Sequence, residues 1–286
     1  MLTAHMDATQ NHAVNESSDS RYFSGVAVYG DDFTEDQIRQ WYAEEEHGYY
    51  NLTQTYSKHV YGYHELNRYH AFRFLLGPYE TCLAMGCATG EDVEPLSQRV
   101  NRFVAIEPAE KWWRSTIGGR PAEFMKPATD GRIPLSSSSV DLITSLAVLH
   151  HVPNASYVFS EMCRVLKPGG RLVMREPICT MGDWRNPRKG LTKNERGFPP
   201  GWLEAQASRN GLRTARKSYC CFPLTVRLGK ALRVSSAYDS VALVRLDALL
   251  SWLTKFNLHY HRDSIFKKVA PIHVFYVFEK TIEEPV

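Results

Sequence analysis

The first residues with chemical potential form the run Ala84-Met85-Gly86-Cys87-Ala88-Thr89-Gly90, followed by the acidic pair Glu91-Asp92. An apolar segment that ends in small residues reads as a buried strand opening into a tight turn, where the backbone can approach a ligand without a Cβ in the way. In a parallel sheet the carboxyl ends of the strands are where ligands bind. Glu107 follows the next apolar run, 17 residues beyond Gly90 by count (107 − 90). A carboxylate there can accept two hydrogen bonds from a ribose diol. The dinucleotide fingerprint G-x-G-x-x-G is not met, because positions 88 and 91 are Ala and Glu. Nor is there a G-x-x-x-x-G-K-[ST] phosphate loop. Glu91 and Asp92 would repel a pyrophosphate but not a sulfonium and an ammonium, so electrostatics favour S-adenosyl-L-methionine over a nicotinamide dinucleotide.

A second group is Val148-Leu149-His150-His151-Val152. Methyl transfer from a sulfonium needs a nucleophile held in line, with its lone pair free. For a hydroxyl acceptor a base near neutral pKa helps, and histidine is the natural choice. His151 is the first candidate and His150 the second; Glu46-His47 forms a further pair, against the plainer reading of a solvated face. The six cysteines (82, 87, 163, 179, 220 and 221) contain no C-x-x-C and no zinc spacing with histidine, so no metal is expected and buried free thiols are. Arg185, Arg188, Lys189, Lys193 and Arg196 could hold a phosphate or carboxylate, against the plainer reading of a solvated charged loop.

Alternating short apolar and amphipathic runs from about 79 to 176 predict a parallel sheet covered by helices. Strands are expected at 81–85, 101–107, 122–126, 140–146 and 171–175, then at 217–222 and 273–279, with a helix beginning at Glu91-Asp92. Val158, Phe159, Met162, Val165 and Leu166 make one helical apolar stripe, with Asn154 as its N-cap. Lys167-Pro168-Gly169-Gly170 should reverse the chain into the next strand. Residues 1–20 read as a disordered tail, 21–78 as a helical N-terminal cap rich in aromatics (Trp41, Tyr42, Tyr49, Tyr50, Tyr56, Tyr61, Tyr63), and 79–225 as the core. Residues 226–270 read as a helical lid inserted before the last strand, and 271–286 as that strand and its tail. Within the lid, Val241, Ala248, Leu249, Trp252, Leu253 and Phe256 have helical periodicity, interrupted by Arg245 and Asp247. Covering the sheet is one reading and weak membrane-surface contact through 236–258 the other.

The 286 residues, 43% hydrophobic and 23% charged with net charge +3, describe an ordinary globular chain and disfavour a dedicated nucleic-acid binder. No secretory h-region or membrane span is evident, so a cytoplasmic location is expected, with the oligomeric state open.

Five motifs occur in order: Ala84–Gly90, Ile106-Glu107-Pro108, Ile133-Pro134-Leu135 with Val140–Ile143, Val148–Val152, and Arg164–Gly170. Together they resemble the class I S-adenosylmethionine-dependent methyltransferases of the small-molecule type, over roughly residues 75–180. The resemblance implies an α/β, Rossmann-like, seven-stranded sheet, mostly parallel with an antiparallel last strand. It implies that Gly86, Cys87, Ala88 and Gly90 pass along the methionine part of S-adenosyl-L-methionine, and that Glu107, beside Pro108, holds the ribose. Thr129 or, chemically better, Asp130 would touch the adenine amine, and Leu146 would supply backbone contact and apolar packing. The family usually has Gly where this chain has Ala88, which is compatible if φ there is negative. The tail is loosely similar to methyltransferases of bacterial surface-polysaccharide pathways, which favours a sugar or sugar-nucleotide hydroxyl as acceptor. An aromatic or lipid-like acceptor, or a catalytically silent cofactor-binding partner subunit with a large exposed apolar patch, are the alternatives.

Overall fold

The computed structural model describes residues 20–55 and 61–282. The expected tail, Ser20 apart, lies outside the described residues, as do Tyr56 and the side chains of Glu46, His47, Tyr49 and Tyr50.

Eight strands form one sheet: β1 (Tyr79–Met85), β2 (Val100–Ile106), β3 (Thr116–Ile117), β4 (Arg120–Met125), β5 (Val140–Leu146), β6 (Leu166–Pro177), β7 (Leu212–Cys220) and β8 (His273–Lys280). Their order is β3-β4-β2-β1-β5-β6-β8-β7. Strands β4, β2, β1, β5 and β6 run parallel, and β8 runs antiparallel to both β6 and β7. Seven of these correspond to the strands read from the sequence; the two-residue β3 adds an antiparallel edge beside β4.

Side-chain alternation divides the core between the two faces. On one face Leu83, Val104, Ile143, Leu172 and Met174 pack with Val158, Phe159 and Met162 of α3 (Ala155–Val165) and Leu203 of α4 (Trp202–Arg209). On the other, Cys82, Ala84, Phe103, Val173 and Phe275 pack with Leu66 of α2 (His64–His70) and Val244 of α6 (Val241–Thr254). The helix α1 (Glu35–Thr55) precedes α2, and α5 (Pro223–Ala231) precedes α6; both α5 and α6 fall between β7 and β8. All six thiols are free and buried.

Four local expectations are corrected. After Gly90 no α-helix forms, only a 3₁₀ turn at Glu94–Leu96 with Pro95 in its first turn. Between Gly90 and β2 the buried apolar side chains are Val93 and Leu96 alone, too few to anchor a full helix. Asn154 does not cap α3 with its side chain; Nδ2 donates to the Asp130 carbonyl instead. The first turn of α3 is served by Asp31, which accepts the Ser156 N–H (2.8 Å) and hydroxyl. Lys167–Gly170 is not a reversal but part of β6, with a register shift against β5 and Gly169 at φ +75°. Finally, α6 turns the other way round from its apolar periodicity. Asp247 faces inward, accepting from the Cys221 and Phe222 N–H groups and the Thr225 hydroxyl at the start of α5. Leu249, Trp252, Leu253 and Phe256 are exposed.

Candidate functional site

The loop after β1 is shaped by three alternate left-handed residues: Gly86 (φ +55°), Ala88 (φ +49°) and Gly90 (φ +86°). A Cβ at Gly86 would lie 2.7 Å from Val148 Cγ1, and one at Gly90 2.6 Å from Ile117. Both glycines are thus demanded by backbone conformation and by close packing. Ala88 overturns the expectation of a negative φ; the left-handed region costs an L-residue about 1–2 kcal/mol. What holds it there is Glu107. Its Oε2 accepts the Ala88 N–H at 2.9 Å and its Oε1 the Ala109 N–H at 2.9 Å. The carboxylate joins the glycine loop to the end of β2, as the ribose-binding reading requires, and each oxygen keeps a further lone pair. Burial raises the Glu107 pKa, with the Ala109 and Ala88 N–H bonds working against it.

Cys87 and Leu146 are buried beside this loop, while Pro108, Thr129 and Asp130 are exposed. Asp130 Oδ1 accepts the Arg132 N–H at 2.9 Å, closing the turn through Gly131 (φ +85°). Its side chain therefore has a turn-capping task of its own.

Next to the loop lie two buried charged groups that lack full partners. Asp92 Oδ1 and Arg175 Nε have no hydrogen-bond partner. Burial pushes Asp92 up to about 8, and the charge of Arg175 opposes the shift. Arg175 packs over the Tyr63 ring at 4.4 Å, and its NH1 reaches Asn67 Oδ1 at 3.4 Å. A free carboxylate oxygen and a free guanidinium N–H near one another suit an α-amino acid zwitterion, ammonium on Asp92 and carboxylate on Arg175. These residues, with Glu107 for a diol, fit S-adenosylmethionine.

Asp92 also sets a pH dependence of stability. Below pH 3.8 both folded and unfolded chains hold its proton. From there to about 8 the folded chain retains a proton that the unfolded chain has released, so stability falls as pH rises. Asp92→Asn removes this loss. Urea unfolding should show the variant gaining on the wild type by about 2–4 kcal/mol between pH 5 and pH 8; a gap independent of pH would contradict the assignment.

Beyond Val148, which touches Gly86, the chain enters a second cluster. His150 is buried with Nδ1 2.8 Å from Glu176 Oε2 and Nε2 3.3 Å from Glu195 Oε1. Glu176 is fixed in turn by the Val148 and Leu149 N–H groups. Burial alone would depress His150, but Glu176 and Glu195 outweigh it and raise the pKa to about 9. Held as imidazolium, His150 is a poor base at neutral pH. His151 is the half-exposed member. Its Nδ1 lies 3.0 Å from Glu45 Oε2 on α1, and its Nε2 3.9 Å from Glu195 Oε1. Trp41 Nε1 donates to the His151 carbonyl at 2.7 Å, anchoring α1 over the cluster. Burial would raise Glu195, but the His150 hydrogen bond and the charges of both histidines lower it to about 2.

Glu45, Glu176 and Glu195 were not singled out by sequence reasoning. Glu195 sits within the basic stretch, four of whose five cations are engaged elsewhere: Arg196 and Arg188 donate to backbone carbonyls, Lys193 pairs with Glu44 and Arg185 with Asp183. The N-terminal aromatics pack on one another, with Tyr29 against Trp184 at 4.9 Å and against Trp41 at 5.4 Å, so Trp41 is not an open stacking platform.

Residues 83–174 match the family model described as a methyltransferase domain. Among curated proteins, an uncharacterized 37.1 kDa protein in transposon TN4556 of Streptomyces fradiae is 33% identical over 113 residues, 37% of this chain and 31% of that protein. An uncharacterized methyltransferase of Mycobacterium bovis (strain BCG / Pasteur 1173P2) is 32% identical over 97 residues, 33% of this chain and 38% of that one. The chain thus spans about a third of the length of these curated relatives. Among solved structures, the (4+2)-cyclase SpnF superposes with TM-score 0.53 and 14% identity over 87% of this chain and 97% of that one. A Bacillus halodurans C-125 protein provisionally described as a methyltransferase has TM-score 0.50 and 16% identity over 72% and 95%. At such identities the likeness is one of fold. Motif order, strand order and family match together assign the segment 83–174 to the methyltransferase domains, on the class I S-adenosylmethionine-dependent methyltransferase fold.

Proposed function

We propose that the chain is an S-adenosylmethionine-dependent methyltransferase acting on a hydroxyl of a small molecule, of the sugar or sugar-nucleotide class. The observation that carries this reading is the junction of the Gly86–Gly90 loop with the Glu107 carboxylate, adjoining the His151 cluster through Val148. When bound, S-adenosylmethionine supplies a methyl group on a sulfonium. Glu107 would hold the ribose diol, Asp92 the ammonium and Arg175 the carboxylate. Glu45 accepts the Nδ1 proton of His151 and so leaves its Nε2 lone pair on the half-exposed side. There it can take the proton of an acceptor hydroxyl as the oxygen gains its methyl group. Release of S-adenosylhomocysteine across a panel of sugars, sugar nucleotides and phenols tests the reading; turnover with none of them counts against it.

One observation favours a second reading, that the chain also makes weak contact with a membrane surface. The exposed face of α6 carries Leu249, Trp252 (60% exposed), Leu253 and Phe256 (86%). It continues into Phe266 (84%), whose carbonyl accepts from Asn257 Nδ2 at 2.6 Å. Such patches mark contact surfaces. Its charges favour an anionic bilayer as the occupant. Residues 240–278 hold five cations (Arg245, Lys255, Arg262, Lys267, Lys268) against two anions, of which Asp247 is buried. A groove of about 550 Å³ beside Trp252 is lined by Arg216, Lys217 and Lys255. No helix among the described residues is long and apolar enough to cross a membrane, so contact would be interfacial. In flotation assays the chain should bind phosphatidylglycerol vesicles and release them in Trp252→Ser/Phe256→Ser. Equal binding by the variant, or a shift of the wild type to dimer without vesicle binding, would rule the bilayer out.

A further inference from the structure

The His150–His151–Glu195 cluster contains more than a base. One ligand atom from each of His150, His151 and Glu195 lies within 4.8 Å of the other two, and the Nε2 atoms of both histidines face Glu195 Oε1. His150 and His151 stand ring to ring with centroids 4.1 Å apart, so two consecutive residues present their Nε2 atoms to the same carboxylate oxygen. Each histidine is also held from behind: Nδ1 of His150 by Glu176 at 2.8 Å, and Nδ1 of His151 by Glu45 at 3.0 Å. A carboxylate on the far ring nitrogen fixes tautomer and orientation and makes the near nitrogen a better donor to a metal.

From this geometry we infer that His150 Nε2, His151 Nε2 and Glu195 Oε1 are the protein ligands of one divalent transition-metal ion, of the zinc or iron(II) class. Two imidazoles and one carboxylate suit those ions, whereas magnesium and calcium prefer oxygen throughout. The spacing agrees. Ligand atoms about 2.0–2.2 Å from a common ion at near-tetrahedral angles lie about 3.3–3.5 Å from each other. Nε2 of His150 is 3.3 Å from Glu195 Oε1, and Nε2 of His151 is 3.9 Å away, on the less buried ring that has room to turn. Metal binding would displace the Nε2 proton of the His150 imidazolium; with both Nδ1 protons then directed at carboxylates, two Nε2 lone pairs and a carboxylate oxygen converge on one point. A single proton can bridge two of these three acceptors; a metal ion bridges all of them. Arg188 and Arg196 run close by; Arg196 and the Nη groups of Arg188 are directed at backbone carbonyls, and Arg188 Nε is buried without a hydrogen-bond partner.

Three protein ligands leave a position free, and the exposed edge of His151 is the side from which an acceptor oxygen would reach it. There the hydroxyl would release its proton to water on coordination, and His151 would act as ligand in the loaded protein. That use rests on the methyl-transfer reading, whereas the binding site does not.

The test uses the full chain stripped with a chelator, without S-adenosylmethionine. Zn²⁺ is titrated by calorimetry and Co²⁺ by visible absorption. The expected result is one ion per chain, with a Co²⁺ spectrum typical of low coordination. His151→Ala and Glu195→Gln should each weaken binding about 100-fold or more, and Glu45→Gln, which removes a supporting carboxylate, about 10–100-fold. Glu195→Gln keeps the side-chain volume, and circular dichroism checks its fold. Uptake no tighter in the wild type than in His151→Ala/Glu195→Gln, or uptake insensitive to all three changes, would overturn the site. A parallel S-adenosylhomocysteine titration of the stripped chain reports cofactor binding separately, so either claim can fail alone.

Discussion

His151→Ala is expected to lower turnover by about 10²–10⁴-fold while leaving the affinity for S-adenosylmethionine at the wild-type level. The asymmetry follows from position. His151 sits beyond Val148, with Glu45 behind it and solvent beside it, whereas the residues read as holding the cofactor are Glu107, Asp92 and Arg175. Truncating a half-exposed ring leaves no large cavity, so folding should be little affected. Glu45→Gln separates positioning from removal. It keeps a hydrogen-bonding oxygen but not the charge, so turnover should fall less than in His151→Ala and the pH–rate profile should shift. S-adenosylhomocysteine release under saturating cofactor measures both. Unchanged turnover in His151→Ala would remove the cluster from the reaction.

Glu107→Ala should act on both binding and stability. The carboxylate accepts the Ala88 and Ala109 N–H groups and is itself buried, so its loss strands two donors. Each stranded donor costs about 1–3 kcal/mol. Ala88, at φ +49°, also loses the bond that holds it in a disfavoured conformation. Cofactor binding should weaken by about 1.5–3 kcal/mol, the worth of charged hydrogen bonds to the ribose. Glu107→Gln keeps one accepting oxygen and the volume. It should recover much of the stability and little of the affinity, which distinguishes loop support from ligand contact. Denaturation and calorimetry on the same samples give the two numbers; wild-type affinity in Glu107→Ala would contradict the ribose role.

The parts of this molecule that were legible in the sequence are those governed by local periodicity and by motifs within a few residues. Val140–Leu146 is a strand because its apolar residues Val140, Leu142, Ile143 and Leu146 are buried within a sheet covered on both faces, and α3 forms because its stripe matches the helical repeat. The glycine loop and Glu107 were legible because each ends such a run. What was not legible depends on distance in the chain. Asp31 serving α3, Glu45 behind His151 and Glu195 facing both histidines come from segments 106–125 and 44–45 residues away from their partners, by subtraction of their numbers. Side-chain type gives no hint of such pairings, and Glu195 was further masked by its basic neighbours. The α6 face was misread for a related reason. Asp247 is drawn inward by three hydrogen bonds from the start of α5, and these outweigh the apolar periodicity that would otherwise orient the helix.

The measurement that bears most directly on all of this is a calorimetric titration of the intact chain with S-adenosylmethionine and S-adenosylhomocysteine, with NADH as the control. Saturable one-to-one binding of both sulfur compounds, weakened in Glu107→Ala and Asp92→Asn and absent for NADH, is the predicted outcome. A folded chain that binds neither sulfur compound would contradict it.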